Sequence, residues 1–262
     1  MDGLDGFWLF LIVGVAAQAV DGALGMAYGV ISTSVLLAFG VPPAAASASV
    51  HAAEVFTTGA SALSHAAHRN IAWRVFLPLA VGGVVGGVAG AWLLTGVDGE
   101  AIRPFIVAYL AALGVYILYR GWRNSPPRHH LPGALTGPLG LIGGFGDAAG
   151  GGGWGPTVTS TVMGAGLEPR CAVGTSVAAE FFVTSAISAA FLWALLTGRW
   201  EEAGGMRQYL TAVAGLVAGG LIAAPFAGWI AKRVPPRGLT WAVGVLVLIL
   251  AAYQTARIVG WL

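Results

Sequence analysis

Long apolar segments with almost no charge constrain this chain more than any other feature of its sequence. Only 9% of its 262 residues are charged, whereas soluble domains carry roughly 25%, so the chain cannot cover a water-facing surface. Its apolar residues fill about eight segments of roughly 20–25 residues, each long enough to cross a ~30 Å hydrocarbon layer. The sequence therefore predicts an all-α, polytopic protein whose main partner is the lipid bilayer.

Charge and cysteine content exclude several other classes. The formal net charge is only +2, so we expect no basic surface for nucleic acid. The single cysteine, Cys171, excludes an intramolecular disulfide and a cysteine-based metal cluster. The first apolar run has neither a positive n-region nor a small-residue cleavage site, so we expect it to remain in the mature protein. No motif indicates a cofactor.

The chain repeats itself at an offset of 126 positions. Asp21 falls on Asp147 and Glu54 falls on Glu180, and fifteen of the forty positions from 21 to 60 are identical. The match resumes after a short insertion, where Gly82 falls on Gly215. We therefore predict a fused duplication, which has a first transmembrane repeat (1–124), a linker (125–132) and a second transmembrane repeat (133–262).

Each half begins with an apolar stretch that glycines interrupt. Phe7–Phe39 is broken at Asp21–Gly25, and Ala134–Ala165 is broken at Gly150–Gly153. A continuous helix of about 33 residues would measure about 50 Å, more than one crossing needs, so we predict two short helices that meet inside the membrane. Three uninterrupted spans follow in each half, at about 44–68, 73–96, 101–122, 171–197, 208–231 and 237–259.

The basic residues favour a topology in which each broken stretch turns back as a re-entrant hairpin. The 13 basic residues then divide nine to four between the two sides, against eight to five if the stretch crosses, and the richer side is cytoplasmic. The N-terminus is then periplasmic and the linker cytoplasmic. Three crossings in each half make the halves inverted repeats.

Inverted repeats with interrupted helices are typical of secondary transporters, which hold substrate near the midplane. A half-helix N-terminus offers unpaired N–H groups and about half a positive charge, and glycines let a ligand approach the backbone. Since Lys and Arg lie only towards the ends of the apolar spans, these groups predict a small anionic substrate. The candidate binding residues lie at or beside the breaks: Gly22, Gly25, Tyr28, Gly29, Ser49, Gly150, Gly151, Gly152, Gly153, Trp154, Thr175 and Ser176.

Four acids within apolar spans are the candidate coupling or gating residues, together with His51. An ionised acid at the bilayer centre costs on the order of 2.5–3.5 kcal/mol. Asp21 and Asp147 precede the short helices, where they either cap them or have a functional role. Glu54 and Glu180 lie in mid-span, where we expect proton carriage or bonds to the backbone of the breaks.

Two other functions remain open. A metal-cation transporter would use His51, Glu54 and Glu180 as ligands. An intramembrane hydrolase is the third alternative, but both the metalloprotease His-Glu-x-x-His pattern and the Gly-x-Ser-x-Gly elbow are absent from the sequence, so we expect no enzyme. A ridge of glycines at 82, 86 and 90, echoed at 215 and 219, predicts close helix packing within the bundle. It leaves a homodimer open.

Several motifs resemble the sulfite exporter TauE/SafE family over nearly the whole chain. They are the run Gly150-Gly-Gly-Gly-Trp-Gly-Pro156, then Gly166-x-x-Pro169 and Ala172-Val-Gly-Thr-Ser176, with Gly40-Val-Pro-Pro43 and Asn70-Ile-Ala-Trp-Arg74 in the first repeat. The resemblance implies export or exchange of sulfur-containing anions such as sulfite, sulfoacetate or other organosulfonates across a bacterial inner membrane. The first repeat differs in having Ala48-Ser49 in place of Gly-Thr.

Overall fold

The computed structural model describes residues 3–122, 133–200, 206–224 and 236–262. Its α-helices are Gly3–Leu24 (α1), Tyr28–Ala38 (α2), Pro43–Ala67 (α3), Trp73–Thr95 (α4), Gly99–Trp122 (α5), Gly133–Gly150 (α6), Ser160–Gly164 (α7), Pro169–Leu196 (α8), Met206–Ala223 (α9) and Pro236–Ile258 (α10). A π-helical turn, Gly155–Thr159, leads directly into α7. The predicted linker and the last part of the predicted span 208–231 lie outside the described residues.

Both predicted breaks are present. The first lies slightly later than expected, because α1 continues to Leu24 and therefore includes Asp21 and Gly22. The second follows Gly150, the last residue of α6. Each break turns at a glycine with a left-handed backbone, Gly25 at φ +66° and Gly151 at φ +69°. Because other residues rarely adopt this conformation, the glycines fix where the helices stop.

Within the described residues, four helices are long and apolar enough to cross a membrane: α4, α5, α8 and the Thr240–Ile258 part of α10. They match four of the six uninterrupted spans that the sequence predicts. Helix α3 is long enough but too polar, since its buried residues include Ser47, His51 and Glu54. Its buried face packs against α8 and α9, so these polar residues do not face lipid. The molecule is a multi-pass, all-helical membrane protein.

Helices of the first half pack against helices of the second half. Helix α1 packs on α9 and α6 packs on α4, while α3 pairs with α8 and α5 pairs with α10. The glycine ridges make these close crossings, because a methyl group added to Gly215 would lie 2.6 Å from the Phe7 carbonyl oxygen. Gly82 and Gly86 press on the α6 backbone in the same way. The prediction that the ridge packs within the bundle is confirmed.

The two ends of the helix bundle are named here after Val41 and Ala72, which lie just before α3 and α4. At the Val41 end, the chain enters α3, and Arg103 near the start of α5 donates to the Val41 carbonyl oxygen at 3.3 Å. At the Ala72 end, the chain enters α4, and the Ala72 N–H donates to Thr175 Oγ1 near the start of α8 at 2.8 Å. The middle of the bundle between these ends holds both breaks.

The two broken stretches lead to opposite ends of the bundle. Helix α6 begins close to Pro78, near the start of α4, and α7 leads into α8 through residues 165–168. Arg120, near the end of α5, donates to the Ser160 carbonyl oxygen at 3.1 Å. The α6–α7 pair therefore has both of its outer ends towards the Ala72 end. The end of α2, by contrast, leads into α3 at the Val41 end.

Candidate functional site

The two breaks contact each other in the middle of the bundle. A methyl group added to Gly29 would lie 2.9 Å from Gly152 Cα, and one added to Gly155 would lie 2.6 Å from Met26 Cβ. These two contacts are the same contact with the halves exchanged, since Gly29 matches Gly155 and Met26 matches Gly152 at the offset of 126. Glycine at 29, 152 and 155 thus lets each short helix approach the other half's break.

Asp21 and Asp147 cap the short helices. One carboxylate oxygen of Asp21, Oδ1, accepts from the Ala27 N–H at 2.8 Å and from the Tyr28 N–H at 3.4 Å. Asp147 Oδ1 accepts from the Trp154 N–H at 3.0 Å. A carboxylate at a helix N-terminus satisfies its free donors and complements its dipole. The protein therefore supplies its own anion to each N-terminus.

His51 joins α3 to the second break. Its Nε2 lies 3.2 Å from Asp147 Oδ2, and its Nδ1 lies 2.7 Å from the Ser47 carbonyl oxygen. Nδ1 must carry the proton that it donates to that carbonyl, so Nε2 is the atom that shares a proton with Asp147. Ser47 Oγ donates to the Ala148 carbonyl oxygen at 2.6 Å. The matching positions in the second half are Val173 and Val177, so the arrangement has no counterpart there.

Glu54 completes a cluster with His51 and Asp147. One ligand-type atom from each of the three side chains lies within 4.8 Å of the others, and all three side chains are buried. Glu54 Oε1 lies against the start of α2, 2.9 Å from where a Gly29 Cβ would be. Its other oxygen, Oε2, has no hydrogen-bond partner within the described part of the chain. We call these three residues the acid–histidine cluster.

A small cavity beside the cluster brings in two more of the acids. It measures about 10 Å³, room for about one water. Glu54 borders both the cavity and the cluster, and the remaining lining residues are Gln18, Asp21, Tyr28, Thr57, Thr58, Ser61, Val177 and Glu180. Gln18 Oε1, like Glu54 Oε2, has no partner among the described residues. Both of these atoms are acceptors, so a proton, a water or a cation in the cavity would satisfy them.

The other predicted binding residues mostly bond to the protein itself. Tyr28 Oη donates to the Leu216 carbonyl oxygen at 2.9 Å. Trp154 Nε1 donates to Ser176 Oγ at 3.1 Å. Thr175 Oγ1 accepts from the Ala72 N–H, and Ser49 is buried in α3. The breaks bring Gly25, Gly29 and the glycines at 151–153 together, while Gly22 and Gly150 lie within the last turns of α1 and α6.

Sequence reasoning missed the polar residues that α3 adds to the site. Ser47, Thr57 and Thr58 lie on the same helix as His51 and Glu54. Thr58 Oγ1 donates to the Glu54 carbonyl oxygen at 2.6 Å. The available signal was the low apolar content of this helix together with the spacing of Ser47 and His51, which are one helical turn apart and so share a face.

Comparison with known proteins identifies a family and a curated relative. A family model described as sulfite exporter TauE/SafE matches residues 10–254. A Bacillus subtilis (strain 168) protein named "Probable membrane transporter protein YtnM" is 40% identical over 250 residues, which cover 93% of this chain and 81% of the relative. No solved structure matches the chain significantly.

Proposed function

The chain belongs to the sulfite exporter TauE/SafE family of membrane transporters, and on that premise we propose that it carries small sulfur-containing anions across a bacterial inner membrane. The proposed substrates are sulfite, sulfoacetate and other organosulfonates. The observation that carries the proposal is the contact between the two breaks, which joins Gly29 to Gly152 in the middle of the bundle. Broken helices that meet at mid-depth are how secondary transporters form a substrate site.

We further propose that the halves are inverted repeats, each with a re-entrant hairpin. Two observations support this arrangement. The packing between helices is preserved when the halves are exchanged, since α1 on α9 corresponds to α6 on α4. The α6–α7 hairpin has its outer ends at the Ala72 end, whereas α2 leads to the Val41 end. Each hairpin then gates one side of the membrane, and separating the two breaks in turn gives alternating access.

Protonation of the acids at the site would allow an anionic substrate to bind beside them. An ionised Glu54 or Glu180 repels an anion, whereas the protonated form removes the repulsion and supplies a hydrogen-bond donor. The unpartnered Glu54 Oε2 is a place where such a proton would sit. The cavity of about 10 Å³ is too small for a sulfonate, so the structure corresponds to a closed conformation in this scheme. Binding requires the hairpins to move apart.

A metal-cation transporter is the second candidate, because the acid–histidine cluster has the ligand types that divalent metals prefer. The three residues that fit are His51, Glu54 and Asp147. The sequence suggests Glu180 as the third ligand, but the third residue of the cluster is Asp147, and Glu180 lines the neighbouring cavity instead. An anion transporter would bind a small anion beside this cluster, whereas a metal-cation transporter would bind a divalent cation there.

Thermal stabilisation of the purified protein separates the candidates. A ligand that binds only the folded state raises the melting temperature, and one present at 100 times its dissociation constant adds about 2.7 kcal/mol of stability. We expect sulfite, sulfoacetate or thiosulfate to stabilise the protein and Mn²⁺ or Zn²⁺ to have no effect. Stabilisation by the metals alone, abolished in His51→Gln, would instead support the cation transporter.

A further inference from the structure

A second polar pocket lies at the Val41 end and shares no residue with the acid–histidine cluster. It has a volume of about 180 Å³, enough for several waters or one small organic anion. It lies between the end of α2, the start of α5 and the end of α10, and its lining residues are Leu37, Glu100, Arg103, Gln254, Arg257 and Ile258. In the sequence, Arg103 and Arg257 lie towards the ends of apolar spans and indicate only which side of the membrane these ends face.

The unsatisfied atoms of this pocket are all donors. Arg103 Nη2 donates to the Val41 carbonyl oxygen at 3.3 Å, but Arg103 Nε is buried without a partner within the described part of the chain. Gln254 is buried, with only 3% of its surface exposed, and its Nε2 also has no partner among the described residues. A buried donor without an acceptor costs about 1–3 kcal/mol. The missing group is therefore an acceptor.

The charges around the pocket specify which acceptor fits. Two arginines, Arg103 and Arg257, and one acid, Glu100, are the charged residues that line it. Glu100 is 82% exposed and lies 3.7 Å from Arg103 Nη2, so water screens much of its charge. Planar guanidinium groups bind oxyanions through paired hydrogen bonds. A small oxyanion would satisfy both the charge and the unpartnered donors.

We propose that this pocket is an oxyanion-binding vestibule at the Val41 end, held by Arg103, Arg257 and Gln254. The binding step needs no assumption about the central site. That the bound oxyanion is the transported one rests on the function proposed above. The contrast with the centre is chemical, since the central cavity has unpartnered acceptors and the vestibule has unpartnered donors.

The oxyanion can be a free solute or the phosphate of a lipid headgroup, and two arms of one experiment distinguish them. In the first arm, protein in a maltoside detergent, which carries no phosphate, is titrated with sulfoacetate or sulfate by calorimetry. In the second arm, melting temperatures are compared in that detergent with and without added phosphatidylglycerol, and without any added small anion. We expect a response in the first arm, weakened at least tenfold in Arg103→Gln and in Arg257→Gln. A response confined to the second arm would identify the lipid headgroup as the occupant.

The matched control is Arg199→Gln, which removes the same charge from another exposed arginine. Arg199 stacks over the Trp92 ring at 3.7 Å, outside the pocket. Arg257 is exposed, so its variant should fold even if Arg103→Gln does not. Equal responses in wild type and in both pocket variants, in both arms, would overturn the vestibule. Sulfite transport in liposomes separates the failure of this proposal from the failure of the proposed function. If Arg257→Gln transports sulfite like wild type, the proposed function stands whether or not the vestibule binds an anion. If the anion binds in an arginine-dependent manner but no sulfite is transported, the vestibule stands and the proposed function fails.

Discussion

Asp21 and Asp147 each cap a short helix inside the bundle rather than at its surface. Their sequence positions left open whether they cap the helices or act in transport, and the bonds to Ala27 N and Trp154 N show the capping role. A cap in this place does more than stabilise one helix, because the same break also contacts the other half. Asp147 in addition bonds to His51, so one side chain links a cap with the acid–histidine cluster.

Removing the Asp21 cap should destabilise the protein. We expect Asp21→Ala to lower the free energy of unfolding by about 0.5–2 kcal/mol, because the Ala27 and Tyr28 N–H groups lose their acceptor. The measurement is the melting temperature in detergent. Asp98→Ala is the matched control, since Asp98 caps the start of α5 in an exposed place, accepting from Glu100 N at 2.8 Å. Transport should survive in Asp98→Ala and fail in Asp21→Ala, and equal transport in both would argue against a role for the first break.

Glu54 should control how substrate binding depends on pH. Protonation becomes more complete as pH falls and removes negative charge from the site, so we expect anion affinity to rise from pH 8 to pH 5. Glu54→Gln should flatten that dependence, and so should Glu180→Gln. The control is Glu168→Gln, which removes an exposed carboxylate paired with Arg170 at 2.7 Å. Gln variants that keep the wild-type pH dependence and only melt earlier would mean that these acids are structural.

At the scale of the helix, glycine decides where the elements stop and which elements cross closely. The crossing of α4 on α6 places Gly90 so that an added methyl group would lie 2.7 Å from the Phe145 carbonyl oxygen. In the matching crossing of α1 on α9, a methyl group on Gly14 would lie 2.6 Å from the Leu216 carbonyl oxygen. Because a backbone carbonyl cannot move aside as a side-chain tip can, the helices themselves would have to separate.

Alanine at either crossing should therefore destabilise the protein. We expect Gly90→Ala and Gly14→Ala each to cost about 1–3 kcal/mol, the usual range for overpacking. Gly133→Ala is the control, because an added methyl group there meets nothing within 4 Å. The readout is the melting temperature of each variant beside wild type. Stability equal to that of Gly133→Ala would mean that the crossings are looser than the structure has them.

The sequence predicted the helical elements well but not their partners. Glycine runs mark both breaks because few other residues tolerate the backbone that Gly25 and Gly151 adopt. The pairing of His51 with Asp147 was not predictable, because the two residues are 96 positions apart and lie in different halves. The vestibule was missed for the same reason, since Arg103 and Gln254 meet only once α5 and α10 have packed.

At the scale of the whole molecule, the central proposal is two halves of opposite orientation around one site. The Val41 end and the Ala72 end should then face opposite sides of the membrane. In a Cys171→Ser background, we expect Asp98→Cys to react with an impermeant maleimide in intact cells. His68→Cys and a cysteine at Asn124 in the linker should react only after permeabilisation. Both Asp98 and His68 are exposed, so labelling of both from the same side would contradict this orientation.

Transport of a sulfur-containing anion by the purified protein is the most direct test of the proposed function. Liposomes that contain the protein are loaded with labelled sulfite or sulfoacetate, and efflux is followed at an imposed potential of −100 mV inside. A monovalent anion leaving under that potential gains about 2.3 kcal/mol, so export needs no proton and efflux should accelerate with the potential. We expect protein-dependent efflux of these anions that is lost in Asp21→Ala. Efflux no faster than from empty liposomes, together with protein-dependent movement of Mn²⁺ or Zn²⁺, would contradict the proposed function.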